Sequence, residues 1–69
     1  MELSARNQLT GRVAAVTLGN VMAEVVITLP DGQEIVSAIT RGSVAKLNLQ
    51  IGDTVVAIIK STEVMIGKG

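Results

Sequence analysis

The chain has 69 residues, six basic and six acidic side chains that cancel to a net charge of zero, and neither cysteine nor histidine. That length holds one domain, and the missing thiols and imidazoles exclude a disulfide framework, an ordinary zinc site and any cysteine nucleophile or histidine general base. Aromatic residues are absent as well although 48% of the chain is apolar, so the core is built from Val, Ile, Leu, Ala and Met.

Leu9 to Leu18 reads as a strand, with Leu9, Val13 and Ala15 on one face and Ala14, Val16 and Leu18 on the other. Gly11 inside it marks a bulge or a close backbone approach. Gly19-Asn20 is a two-residue hairpin signal, because both residues tolerate positive φ. Val21 to Leu29 follows as a second strand, with Val21, Ala23, Val25, Ile27 and Leu29 along one face and Met22 and Val26 keeping the other partly apolar. Pro30-Asp31-Gly32 is a strong turn signal. Gln33 to Ile39 is the third strand. Thr40 caps a short helix over Arg41 to Leu47, with Val44 and Leu47 facing inward and Asn48 ending it. Leu49 to Asp53 is a turn, Thr54 to Lys60 the fourth long strand, Ser61 to Glu63 another turn, and Val64 to Ile66 a last short strand.

Four or five short strands with one helix predict a mainly β domain, a small OB-like β-barrel closed at bends that carry Gly11, Gly19, Gly32 and Gly52. A small core with strands apolar on both faces predicts that the surplus apolar surface is shared with other copies, so the barrel is expected as an oligomer. No N-terminal apolar signal stretch is present, and no run approaches the roughly 18 apolar residues of a membrane span. The expected setting is soluble and cytoplasmic, away from any membrane.

The acids Glu2, Glu24, Asp31, Glu34, Asp53 and Glu63 are scattered over different elements, and the turns already employ Asp31 and Asp53. Catalysis is therefore not expected. Four polar clusters stand out. Ser4-Ala5-Arg6-Asn7 puts a hydroxyl, a guanidinium and a carboxamide within four residues. Thr40-Arg41-Gly42-Ser43 opens the helix, where free N–H groups hold anions. Lys60-Ser61-Thr62 ends an apolar strand, and Gly19-Asn20 lies at the hairpin. Each has a plain structural alternative when taken alone: a solvated arm, an N-cap, a solvated strand end and a turn. Together, three hydroxyl-bearing segments, two with a cation and none with a carboxylate, match the needs of a tetrahedral dianion: two positive charges and neutral donors for its oxygens.

Ser4-Ala5-Arg6-Asn7-Gln8, Gly11, the Leu-Pro-Asp-Gly turn at 29–32, Ile39-Thr40, Ser43 and Lys60-Ser61 together resemble the molbindins, small molybdate-binding proteins made of a single Mop (TOBE-type) domain. The resemblance runs over essentially the whole of residues 1–69. It implies an OB-like barrel assembled as a homohexamer, a trimer of dimers, that stores molybdate or tungstate in the cytoplasm without an organic cofactor. The oxyanion would sit between subunits. Ser4 and Arg6 match the N-terminal part of such a site, Ala5 through its backbone, Thr40 and Ser43 the helix-start part, and Lys60 and Ser61 the strand-end part. A second class of site near symmetry axes would draw on Gly19 and Asn20. With no thiol or imidazole to serve as a soft or borderline ligand, hydrogen bonds and not direct coordination of the metal by side chains are expected. A regulatory or oligomerisation module acting on a protein partner is the alternative. An OB-type nucleic-acid binder is disfavoured by the lack of both aromatics and net charge.

Overall fold

The computed structural model describes residues Met1–Gly69. It contains four strands, β1 (Asn7–Leu18), β2 (Met22–Thr28), β3 (Glu34–Thr40) and β4 (Thr54–Ile59), with one helix, α1 (Arg41–Leu47), between β3 and β4. Neighbouring strands are antiparallel, in the order β3-β2-β1-β4. The twelve-residue β1 is shared between two partners: Asn7 to Arg12 pair with β4, Arg12 to Leu18 with β2. This handover curls the sheet into the expected mainly β, OB-like form, with β3 and β4 as its two free edges.

The curl explains Gly11. A Cβ there would lie 2.6 Å from Ile27 Cγ2 and 2.7 Å from the Thr28 carbonyl oxygen, so the residue marks a close crossing of β2 over β1. The bulge lies further on, at Ala14: Val13 pairs with Ile27 and Ala15 with Val26. An extra residue reverses which side chains face inward. Gly11 and Val13 are buried before it and Val16 packs on the core after it, so Val13 shares its face with Val16 and not, as expected, with Ala15. On the β4 side Val13 donates to Asp53 O at 2.9 Å and accepts from Gly52 N at 2.8 Å, which extends that ladder into the turn at 49–53.

Six apolar side chains form the core: Val13, Ala23, Val25, Ile27, Val44 and Ala57. Ala23, Val25 and Ile27 face inward as the alternation of β2 requires, but the strand is shorter than expected, and Val21 lies outside it and exposed. The hairpin connection closes through Gly19 N–H to Met22 O at 2.8 Å, with no positive φ at Gly19 or Asn20. In the Leu29 to Gln33 turn it is Gly32 that takes the positive φ, +90°. There the Asp31 carboxylate accepts from the side chain and backbone N–H of Gln33, which holds its pKa below the usual carboxylate range.

Helix α1 begins and ends where its capping residues predict. Asn48 adopts the left-handed conformation (φ 50°, ψ 48°), and its N–H bonds back to Ala45 O. Only Val44 is buried; Leu47, expected inward, is 65% exposed, because a helix of two turns resting on β2 and β3 covers a single inward position. After β4 the chain makes a 3-10 turn at Ser61–Glu63, and Val64 to Ile66 form no strand, since neither free sheet edge of the same chain takes them up. Met65 and Ile66 are about 90% exposed (92% and 89%).

Gly11→Ala forces a methyl group against backbone that cannot turn aside. It should lower unfolding stability by about 1–3 kcal/mol, the range for overpacking a tight site. Gly67→Ala, with nothing within 4 Å, should leave it unchanged. Urea denaturation of both variants at one fixed protein concentration checks this.

Candidate oxyanion-binding site

The β1–β4 register sets Asn7 opposite Ile59, so the residues just beyond, Ser4–Arg6 and Lys60–Ser61, flank the same end of the sheet. Gln8 fixes the approach of the N-terminal segment, its Nε2 donating to Ala5 O at 2.7 Å. Ala5 is thereby held half-buried while Ser4, Arg6, Lys60 and Ser61 stay exposed. Two cations at one end repel each other, and an anion between them relieves that repulsion. Lys60 also lines, with Glu63, the mouth of an apolar cleft between β3 and β4.

The second group forms at the start of α1. Thr40 Oγ1 accepts from Ser43 N–H at 3.0 Å and shares a hydrogen bond with Ser43 Oγ at 2.7 Å. Thr40 is thus a true N-cap, and the two hydroxyls form one compact pair. Arg41 donates from its backbone N–H to Val21 O at 2.8 Å and from Nη1 to Gly19 O at 3.1 Å. Gly19 and Asn20 are therefore brought to the same end as Thr40 and Ser43. Reading the sequence missed this use of Arg41 and the support from Gln8. The Gln8 bond spans three residues and had a local signal; the Arg41 bond spans 22, and no sequence spacing announces it.

The four polar clusters thus sort into two groups, at opposite ends of β1. Thr40 pairs with Met22, next to the C-terminal end of β1, whereas Arg6 and Lys60 flank its N-terminal end. Twelve residues of strand, about 35–40 Å of contour, run between them. The expected convergence of all three hydroxyl-bearing segments does not occur within one chain, and no hydrogen bond joins the two groups. What they present is hydroxyl, guanidinium, ammonium and backbone N–H: donors suited to the oxygens of an anion.

A curled four-stranded sheet with one capped helix and donor-rich ends defines a small OB-like module. Residues 3–66 match the TOBE domain model, and the chain belongs to that family, with the molbindins. It is 47% identical over 66 residues to molybdenum-pterin-binding protein 3 of Clostridium pasteurianum, covering 96% of this chain and 97% of that one. Among solved structures it is similar to MopII from Clostridium pasteurianum, with a TM-score of 0.92 and 43% identity over 97% of this chain and all (100%) of the other. It is equally similar to a molybdate-binding protein from Sporomusa ovata, with a TM-score of 0.92 and 44% identity over 99% of this chain and 100% of that chain.

The capping role of Thr40 predicts a specific stability effect. Thr40→Ala should cost about 0.5–2 kcal/mol, as loss of an N-cap does, while Thr40→Ser should restore most of it. Chemical denaturation of the two variants makes the comparison. Equal stability of Thr40→Ala and the parent chain would exclude the cap as a contributor.

Proposed function

We propose that this chain binds molybdate or tungstate as the intact tetrahedral dianion and stores it in the cytoplasm, in sites between the subunits of a homohexamer built as a trimer of dimers. The observation that carries this reading is the separation of the donors into two groups at opposite ends of β1, each incomplete as a dianion site. One group holds Ser4, the Ala5 backbone, Arg6, Lys60 and Ser61; the other holds Thr40 and Ser43. A site with both cations and enough neutral donors is completed when one copy's first group meets the second group of another. Gly19 and Asn20 supply donors for a second class of site. The named ligands of the relatives support the same oxyanion, and those relatives are binding proteins, in keeping with a non-catalytic role.

Assembly has its own support. Between the free edges β3 and β4 lies a cleft of about 750 Å³, with 13 of its 16 lining residues hydrophobic. Val36, at 61% exposure, and Ile58, at 47%, are among its lining residues, and the apolar tail at 64–66 is exposed. Large exposed apolar surface flanked by unpaired strand edges is what association removes from water. No helix is long and apolar enough to cross a membrane. Zero net charge and the lack of aromatics count against a basic, base-stacking groove of the kind that holds nucleic acid.

Arg6 and Lys60 supply the charge balance in this reading. Removing one cation from a desolvated anion site costs on the order of 2–5 kcal/mol, so Arg6→Ala or Lys60→Ala should weaken molybdate binding roughly 30-fold or more. Arg12→Ala and Lys68→Ala should change it little. Titration calorimetry, on variants first shown to keep the native oligomer, decides: equal affinity for Arg6→Ala and Arg12→Ala returns the Ser4–Asn7 segment to a solvated arm.

Assembly is tested separately. Val36→Asp and Ile58→Asp alter side chains already exposed in the single chain, so each chain should still fold, yet the native mass at micromolar concentration should drop to smaller species. Native mass spectrometry reads this directly. A parent chain that is monomeric under those conditions would rule out a site shared between subunits.

A further inference from the structure

The Gly19–Asn20 peptide is held from one side only. Its carbonyl accepts the Arg41 Nη1–H at 3.1 Å, across 22 residues of sequence. Its N–H, on Asn20, makes no hydrogen bond within the chain. No peptide bond is cis, so the C=O of Gly19 and the N–H of Asn20 point in opposite directions across one rigid plane. Holding the oxygen therefore fixes the direction of the hydrogen. The guanidinium also covers the negative end of this peptide dipole, which would otherwise be free to swing toward an anion and repel it. A charge-assisted bond suits this task better than a neutral one. The connection has few other restraints: the Gly19 N–H bond to Met22 O and the Arg41 N–H bond to Val21 O.

We infer that Arg41 is a positioning residue for oxyanion binding: by holding the Gly19 carbonyl it turns the free Asn20 N–H outward as an anion donor. This rests on the assignment of Gly19 and Asn20 to a second molybdate site. Arg41 itself need not touch the ligand. The loss on its removal comes from a peptide plane free to rotate, so the unliganded protein and the complex both report it.

The test uses the assembled protein with sodium molybdate as the probe, following the Asn20 amide resonance by NMR and affinity by titration calorimetry. In the parent chain the Asn20 amide should shift on adding molybdate. In Arg41→Met that shift should be lost, exchange of the Gly19 amide should quicken several-fold without ligand, and the second class of sites should lose about tenfold in affinity. Arg41→Lys, whose ammonium donates to the same carbonyl, should recover much of the response. Lys46→Met, which removes one charge from the same helix, should behave as the parent. Should Arg41→Met fail to assemble, Arg41→Gln, too short to hold the carbonyl in the same way, carries the comparison. An Asn20 response and affinity unchanged in the variant overturn the inference. So does a parent Asn20 amide that ignores molybdate: if Arg6→Ala still weakens binding, the primary site stands and only the role of Arg41 falls. If Arg6→Ala has no effect either, the oxyanion reading fails with it.

Discussion

The handover of β1 from one partner strand to another is the constraint on which the rest of the structure depends. β1 belongs to the β4 ladder up to Arg12 and to the β2 ladder from Arg12 onward, and Arg12 alone stands in both registers. A strand that changes partner in this way must bend sharply, and the bend is flanked by the crossing at Gly11 and the bulge at Ala14. From it follow the inward placement of Val13 and Val16, the free edges β3 and β4, and the opposite placement of the two polar groups. A side chain at Gly11 would push β2 away and disturb all of these together.

The elements most legible in the sequence were those decided by local chemistry. Helix α1 was readable to the residue, because Thr40 is a hydroxyl N-cap and Asn48 tolerates the left-handed C-cap conformation, and both rules act within a few residues. The Pro30-Asp31-Gly32 turn was readable for the same reason. Gly11 was expected to mark a bulge or a close backbone approach and marks the approach; the bulge itself lies at Ala14, since its position depends on where β2 and β4 share β1, which is a tertiary matter. The exposure of Leu47 and the unpaired tail at 64–66 likewise depend on what lies opposite them, and within one chain nothing does.

The same division holds for the candidate site. Which residue types gather into polar clusters was visible in the sequence, because guanidinium, ammonium and hydroxyl groups without an interleaved carboxylate are a local signature. Their partition was not. It follows from strand order: Arg6 and Lys60 become neighbours through the antiparallel β1–β4 pairing, while Gly19 and Thr40 become neighbours through β2 and the long-range bond of Arg41. The sequence marked Arg41 only as one of a cluster, whereas its carbonyl partner makes it the link between two of the four clusters.

A site divided between copies links ligand binding to assembly. If the dianion binds only where the Arg6–Lys60 end of one copy meets the Thr40–Ser43 end of another, each bound ion favours the assembled state by an amount that grows with the logarithm of its free concentration over its dissociation constant. Linkage is reciprocal, so the factor by which assembly raises affinity for the ion is the factor by which the bound ion strengthens the subunit contact. The composition fits that coupling. Six buried side chains make a modest core, and the apolar cleft between β3 and β4 is surface that association would remove from water. Burial of that cleft would also lower the dielectric around Lys60 at its mouth, which strengthens its attraction for an anion while raising the cost of leaving it unpaired. With a net charge of zero, the protein attracts no polyanion at long range, and in the proposed site affinity for a small dianion would depend on the few cations that assembly brings together.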